Sequence, residues 1–126
     1  MRVFMTRWFA RFARREGISA RSLLDAIARA DQGLIDADTG GGLIKQRVAR
    51  PGKGRSGGYR VIVAYTAKAR AIFLFGFAKN ERKNISSDEL VSLRGLAENW
   101  LAFSTAKIRE EIEAGNLQEI EDGEEA

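Results

Sequence analysis

Apolar residues along this chain change their spacing more than once. "RVF" at residues 2–4 reads as a short strand. Thr6 then stands where a helix N-cap is expected, and Trp8, Phe9 and Phe12 form one apolar stripe behind it. Arg7, Arg11, Arg14 and Arg15 fall largely off that stripe, and Gly17 suits the C′ position. Ser19 opens a second helical pattern through Leu23, Leu24, Ile27 and Ala28, which Gly33 ends. Residues 6–32 are therefore expected to form a helical hairpin. "GLIDADTGGG" reads as a turn-rich connector.

From Leu43 the period becomes two. "LIKQRVAR" sets Ile44, Gln46 and Val48 on one side and Lys45, Arg47 and Ala49 on the other. "GYRVIVAY" and "RAIFLFGFA" follow as strands apolar on both faces, joined by "TAKA". Three sequential strands with short links predict an antiparallel meander. Ser86 and Glu89 have the spacing of a capping box. Leu90, Leu93, Ala97, Trp100 and Leu101 give the following helix its apolar face, which Ile108 and Ile112 continue. "NLQEI" reads as a small edge strand, and the acidic residues 121–126 as a disordered tail. The order β-α-α-β-β-β-α predicts an α+β fold: a small antiparallel sheet, an N-terminal helical hairpin and a C-terminal helix, with the helices on one sheet face. Residues 1–120 make one domain at this chain length.

Composition narrows the chemistry. Among 126 residues there is no cysteine and no histidine. Thiolate chemistry and the usual neutral-pH base are thereby excluded. No apolar run approaches a membrane span, and arginines interrupt the N-terminal segment, so cytoplasmic residence is expected. The net charge of +4 conceals an asymmetry. All 21 Lys and Arg lie at or before Arg109, against nine acids there, while the last 17 residues hold eight acids. A body of +12 predicts a polyanionic partner.

The cations concentrate between Lys45 and Lys83, eleven of them with a single acid, Glu81. Lys45 and Arg47 point the same way from one strand. In a meander, the end of the third strand lies beside the start of the second. Arg60 is thus expected to meet "AKNERKN", which holds Lys79, Asn80, Arg82 and Lys83. A glycine-rich loop over residues 50–58, with Arg50, Lys53 and Arg55, is expected to overhang that end, next to Tyr59. It is no Walker loop, because Gly58 stands where lysine is required. Such a cleft can bind nucleic acid through phosphates. It can also stabilise the charge of a phosphorane during RNA cleavage, where the 2′-OH is the nucleophile. A lysine crowded by cations gives up its proton more readily and can serve as base, and Lys45 beside Arg47 is the candidate.

"GLIKQRVARPGKGRSGGYRVIVAY" and "FLFGFAKNERKNIS" together resemble the RelE/ParE toxin superfamily, and within it the HigB-like RelE toxins of bacterial type II toxin–antitoxin systems. The resemblance implies a ribosome-dependent mRNA endoribonuclease that cleaves in the A site without metal or cofactor. It implies catalytic positions at Lys45, Arg47, Arg60 and Asn80. RNA binding would fall to Arg50, Lys53, Arg55, Tyr59, Lys79, Arg82 and Lys83. It also implies a cognate antitoxin, a small helix-turn-helix protein, and no membrane partner. RelE itself has an arginine, proposed as general acid, where this chain has Asn80, so Lys79 or Arg82 would stand in, or the acid step would be shared. It has a tyrosine in the region of Ser86. A ParE-like gyrase inhibitor and a non-catalytic RNA-binding homologue remain the alternatives.

Overall fold

A computed structural model describes residues 1–50 and 54–121, with backbone alone for residues 54–56. The elements are β1 (Arg2–Thr6), α1 (Arg7–Glu16), α2 (Ala20–Asp31), β2 (Ala37–Gly40), β3 (Leu43–Arg50), β4 (Gly54–Thr66), β5 (Arg70–Ala78), α3 (Ser87–Ala102), α4 (Thr105–Glu113) and β6 (Leu117–Glu119). The fold is α+β, and the six strands lie in the order β2-β3-β4-β5-β1-β6. β3, β4 and β5 form the expected antiparallel meander, while β1 joins β5 in parallel and β6 closes the far edge.

The helix starts follow from their caps. Thr6 accepts the Phe9 N–H, Ser19 accepts the Ser22 N–H, and Ser86 with Glu89 completes a capping box. Gly17 ends α1 with φ 71°, a left-handed conformation that glycine adopts without strain.

Helices cover both sheet faces, not one. α1 and α2 pack Phe9, Phe12, Leu23 and Ile27 against Ile44, Val48, Val61, Val63 and Phe73. α3 and α4 pack Leu93, Ala97 and Ile108 against Leu43, Ile62, Ala64 and Ile72. The reason is already in the strands: β4 and β5 are apolar on both sides, and each side needs a cover.

Other departures are local. The expected single C-terminal helix breaks at Phe103, whose backbone is extended, and Ser104 caps α4. Arg70 donates to the carbonyls of Trp100 and Phe103, satisfying groups that a helix end leaves unpaired. The "DADTGGG" connector holds a short edge strand, β2, paired with β3. β4 begins at Gly54, so the basic loop is shorter than residues 50–58. At Gly58 the ladder slips between Val48 and Arg50, and a Cβ there would collide with the Val48 carbonyl. That glycine serves strand approach.

Candidate functional site

β3 and β4 bring Arg47 and Arg60 directly opposite each other, and Lys45 opposite Ile62. Facing residues of an antiparallel pair share a sheet face. Lys45, Arg47 and Arg60 therefore lie on the face covered by α3, beyond the apolar patch that Leu93 and Ala97 cover. Arg60 also pairs in register with Phe77 of β5. Arg47 is exposed, whereas Arg60 is only 7% exposed.

The electrostatics of this row are unbalanced. Burial first, and then the neighbouring Arg47, lower the pKa of Arg60, against an opposing pull from Asp36. Asp36 is shared. Its carboxylate accepts the Arg47 backbone N–H at 2.7 Å and lies 4.0 Å from Nε of Arg47 and 3.8 Å from Nη1 of Arg29. Arg29 in turn donates to the Arg47 carbonyl at 2.5 Å. Asp36 thus lies between Arg29 and Arg47, Arg29 also pairs with Asp25 at 3.3 Å, and an incoming anion would lower the energy of the row.

The segment after β5 borders the same end. The Lys79 N–H donates to the Gly58 carbonyl, which seats residues 79–85 beside the start of the β4 face. Lys79, Asn80 and Lys83 are exposed. Asn80 Oδ1 accepts from Nη1 of Arg50 at 3.4 Å. Lys45 Nζ donates to Asn84 Oδ1 at 2.9 Å. Arg82 spends its guanidinium elsewhere: two bonds to Glu89, at 2.6 and 3.1 Å, while it lies over the Phe77 and Phe75 rings.

Tyr59 departs from expectation. It lies on the opposite face, 2% exposed, edge-on to Phe12, with its hydroxyl donating to Glu16. Alternation along β4 sends it there, because Arg60 takes the other side. Arg50 lies over its ring at 5.7 Å. Lys53 and the Arg55 side chain lie outside the described residues, as does the acidic run beyond Glu121. β6 runs antiparallel to β1 and brings Glu121 toward Arg2, at the end of the sheet opposite Arg60.

Asp36, Arg29, Asn84 and Glu89 were not among the expected site residues. Asp36 sits in what reads as a connector, and Asn84 is 39 residues from its partner Lys45. Glu89 has a sequence signal, but it is that of a cap. A groove of about 690 Å³ runs between α2 and β3 past Arg21, Asp25 and Val48. A smaller hollow of about 390 Å³ joins Arg29, Asp36 and Arg47.

Among the described residues, no helix is long and apolar enough to cross a membrane. The family model described as the RelE toxin of the RelE/RelB toxin–antitoxin system matches residues 1–120, from the first strand through the last. The chain belongs to the RelE toxin family.

Proposed function

We propose that the chain is a ribosome-dependent mRNA endoribonuclease of the HigB-like branch, acting in the ribosomal A site and held inactive by a cognate helix-turn-helix antitoxin. The observation that carries this reading is the row of basic side chains, Lys45, Arg47 and Arg60, that β3 and β4 set on one sheet face. RNA supplies both a negative charge for this row and the nucleophile. The 2′-oxygen attacks the adjacent phosphorus as its proton passes to a base, and the 5′-oxygen leaves as it gains a proton. Charge on the phosphorane oxygens is greatest midway, and fixed guanidinium groups stabilise it most there. Arg47 and Arg60 take that role. Lys45 is the candidate for proton transfer, and Asn80 and Lys79 border the leaving-group side. No step calls on a metal or cofactor, and the substrate places the toxin with the ribosomes of the cytoplasm.

The test incubates pure protein with ribosomes carrying a defined mRNA and maps new 5′ ends. Cuts within the A-site codon are expected, and Arg60→Ala should abolish them while circular dichroism confirms the fold. Intact mRNA with the wild-type chain would overturn the reading. Loss of DNA supercoiling in a gyrase assay, without cleavage, would replace it with gyrase inhibition.

A further inference from the structure

We propose that Asn84 is a positioning residue that holds the Lys45 ammonium beside the Arg47–Arg60 pair, and that Arg82 and Glu89 hold Asn84 in place. The proposal rests on the endoribonuclease reading for its consequence in catalysis, and on geometry for the contact itself.

A lysine head on four methylenes sweeps a wide volume unless something holds it. Here Asn84 Oδ1 accepts from Lys45 Nζ at 2.9 Å. The amide is itself oriented, because the same oxygen accepts the Ile85 N–H at 2.9 Å. The Asn84 carbonyl accepts from Nε of Arg82 at 3.0 Å. Arg82 then grips Glu89 with both terminal nitrogens, and its plane lies 5.4 Å from the Phe77 centroid and 6.0 Å from that of Phe75. Glu89 sits in the first turn of α3 and also accepts the Ser86 N–H at 2.8 Å. The connection from helix to lysine is therefore continuous: Glu89, Arg82, Asn84, Lys45. It binds a segment without regular structure to a capped helix, and it fixes one cation relative to two others on separate strands. Arg82, a phosphate binder by sequence, is committed to this scaffold.

The experiment is a double-mutant cycle on single-turnover cleavage with programmed ribosomes. Asn84→Ala should slow cleavage about 10- to 100-fold, as displacement of a reacting group does. Ribosome affinity should hold within about twofold, since a positioning contact acts on the chemical step. Asn84→Asp keeps the acceptor and should restore the rate to within about threefold of wild type. In a Lys45→Ala background, Asn84→Ala should cost less than about twofold, because its partner is gone. An equal loss in both backgrounds, or an Asp variant no better than Ala, overturns the proposal.

A second readout does not depend on cleavage. In the free protein at low temperature, the held ammonium of Lys45 should give a protected ¹⁵Nζ–¹H cross-peak, lost in Asn84→Ala. If wild type leaves mRNA intact, the endoribonuclease reading falls and the cross-peak alone decides the contact. A cross-peak unchanged by Asn84→Ala overturns it.

Discussion

The two faces of the β3–β4 pair each bury one polar side chain, a neutral amide on one and a cation on the other. On the α1/α2 face, Gln46 is 0% exposed and satisfied at both ends of its amide. Its nitrogen donates to the carbonyls of Ala26 and Leu34, and its oxygen accepts the Asp36 N–H. On the other face, Arg60 is nearly as buried, carries a charge and faces Arg47 across the ladder. A fully paired polar group in a core stabilises and specifies the fold. A desolvated cation beside another cation costs stability and marks a place where an anion is expected. Gln46 of β3 and Arg60 of β4 thus serve different purposes.

Arg60→Gln tests this contrast most severely. It should lower cleavage about 100- to 1000-fold, the scale for losing a charge-stabilising donor. Its stability in urea should fall by less than about 1 kcal/mol, since the amide still donates hydrogen bonds and a like-charge repulsion is relieved. A large fall in stability would show that Arg60 belongs to the fold as Gln46 does.

Gln46→Ala is the converse. It strips partners from Ala26, Leu34 and Asp36, and orphaned buried groups cost about 1–3 kcal/mol each. Stability should fall by about 2–4 kcal/mol in urea titration. A loss below about 0.5 kcal/mol would deny Gln46 the role of a core tie.

Much of this contrast was legible in the sequence. Alternation in "LIKQRVAR" separated Gln46 from Lys45 and Arg47, and the meander brought Arg60 beside Arg47 and the "AKNERKN" segment. Thr6, Ser19 and Ser86 announced their helices because capping is local chemistry. What escaped depends on contacts between distant residues. The break at Phe103 is stabilised by Arg70, 33 residues away. Cover on the second face was implied by strands apolar on both sides, but the sequence does not say which helix supplies it. Tyr59 was misplaced for a simpler reason: it was read as part of a motif, while strand alternation already turned it from Arg60. Asp36 and Asn84 were hidden because their partners lie on other elements.

A gentler substitution sharpens the contrast on the α3 face. Arg47 contributes an exposed charge, and each phosphate contact adds about one to the slope of log affinity against log salt. Arg47→Gln should flatten the salt dependence of ribosome binding by about one, whereas Gln46→Leu should leave it parallel to wild type. Equal slopes for Arg47→Gln and wild type would remove Arg47 from the phosphate contacts.

The smallest expected effects lie at the pH extremes, and they divide between the same two faces. On the α3 side, bonds from Arg82 and from Ser86 lower the Glu89 carboxyl from 4.5 to about 2. Its folded pKa lies below the unfolded one, so its contribution is complete above about pH 4.5 and disappears as pH falls through 2. On the α1/α2 side, burial and then the bond to Asp31 raise the Tyr65 hydroxyl from 10.0 to about 12. The neutral form is the one favoured in the fold, because the hydroxyl donates to Asp31 at 2.5 Å. That contribution is complete below about pH 10 and disappears as pH rises through 12. Glu89→Gln should therefore flatten the acid limb of a plot of urea midpoint against pH and leave the alkaline limb alone. Tyr65→Phe should do the reverse. If both variants shift the whole curve without changing either limb, the two groups stabilise the protein by packing, and their titration has no part in it.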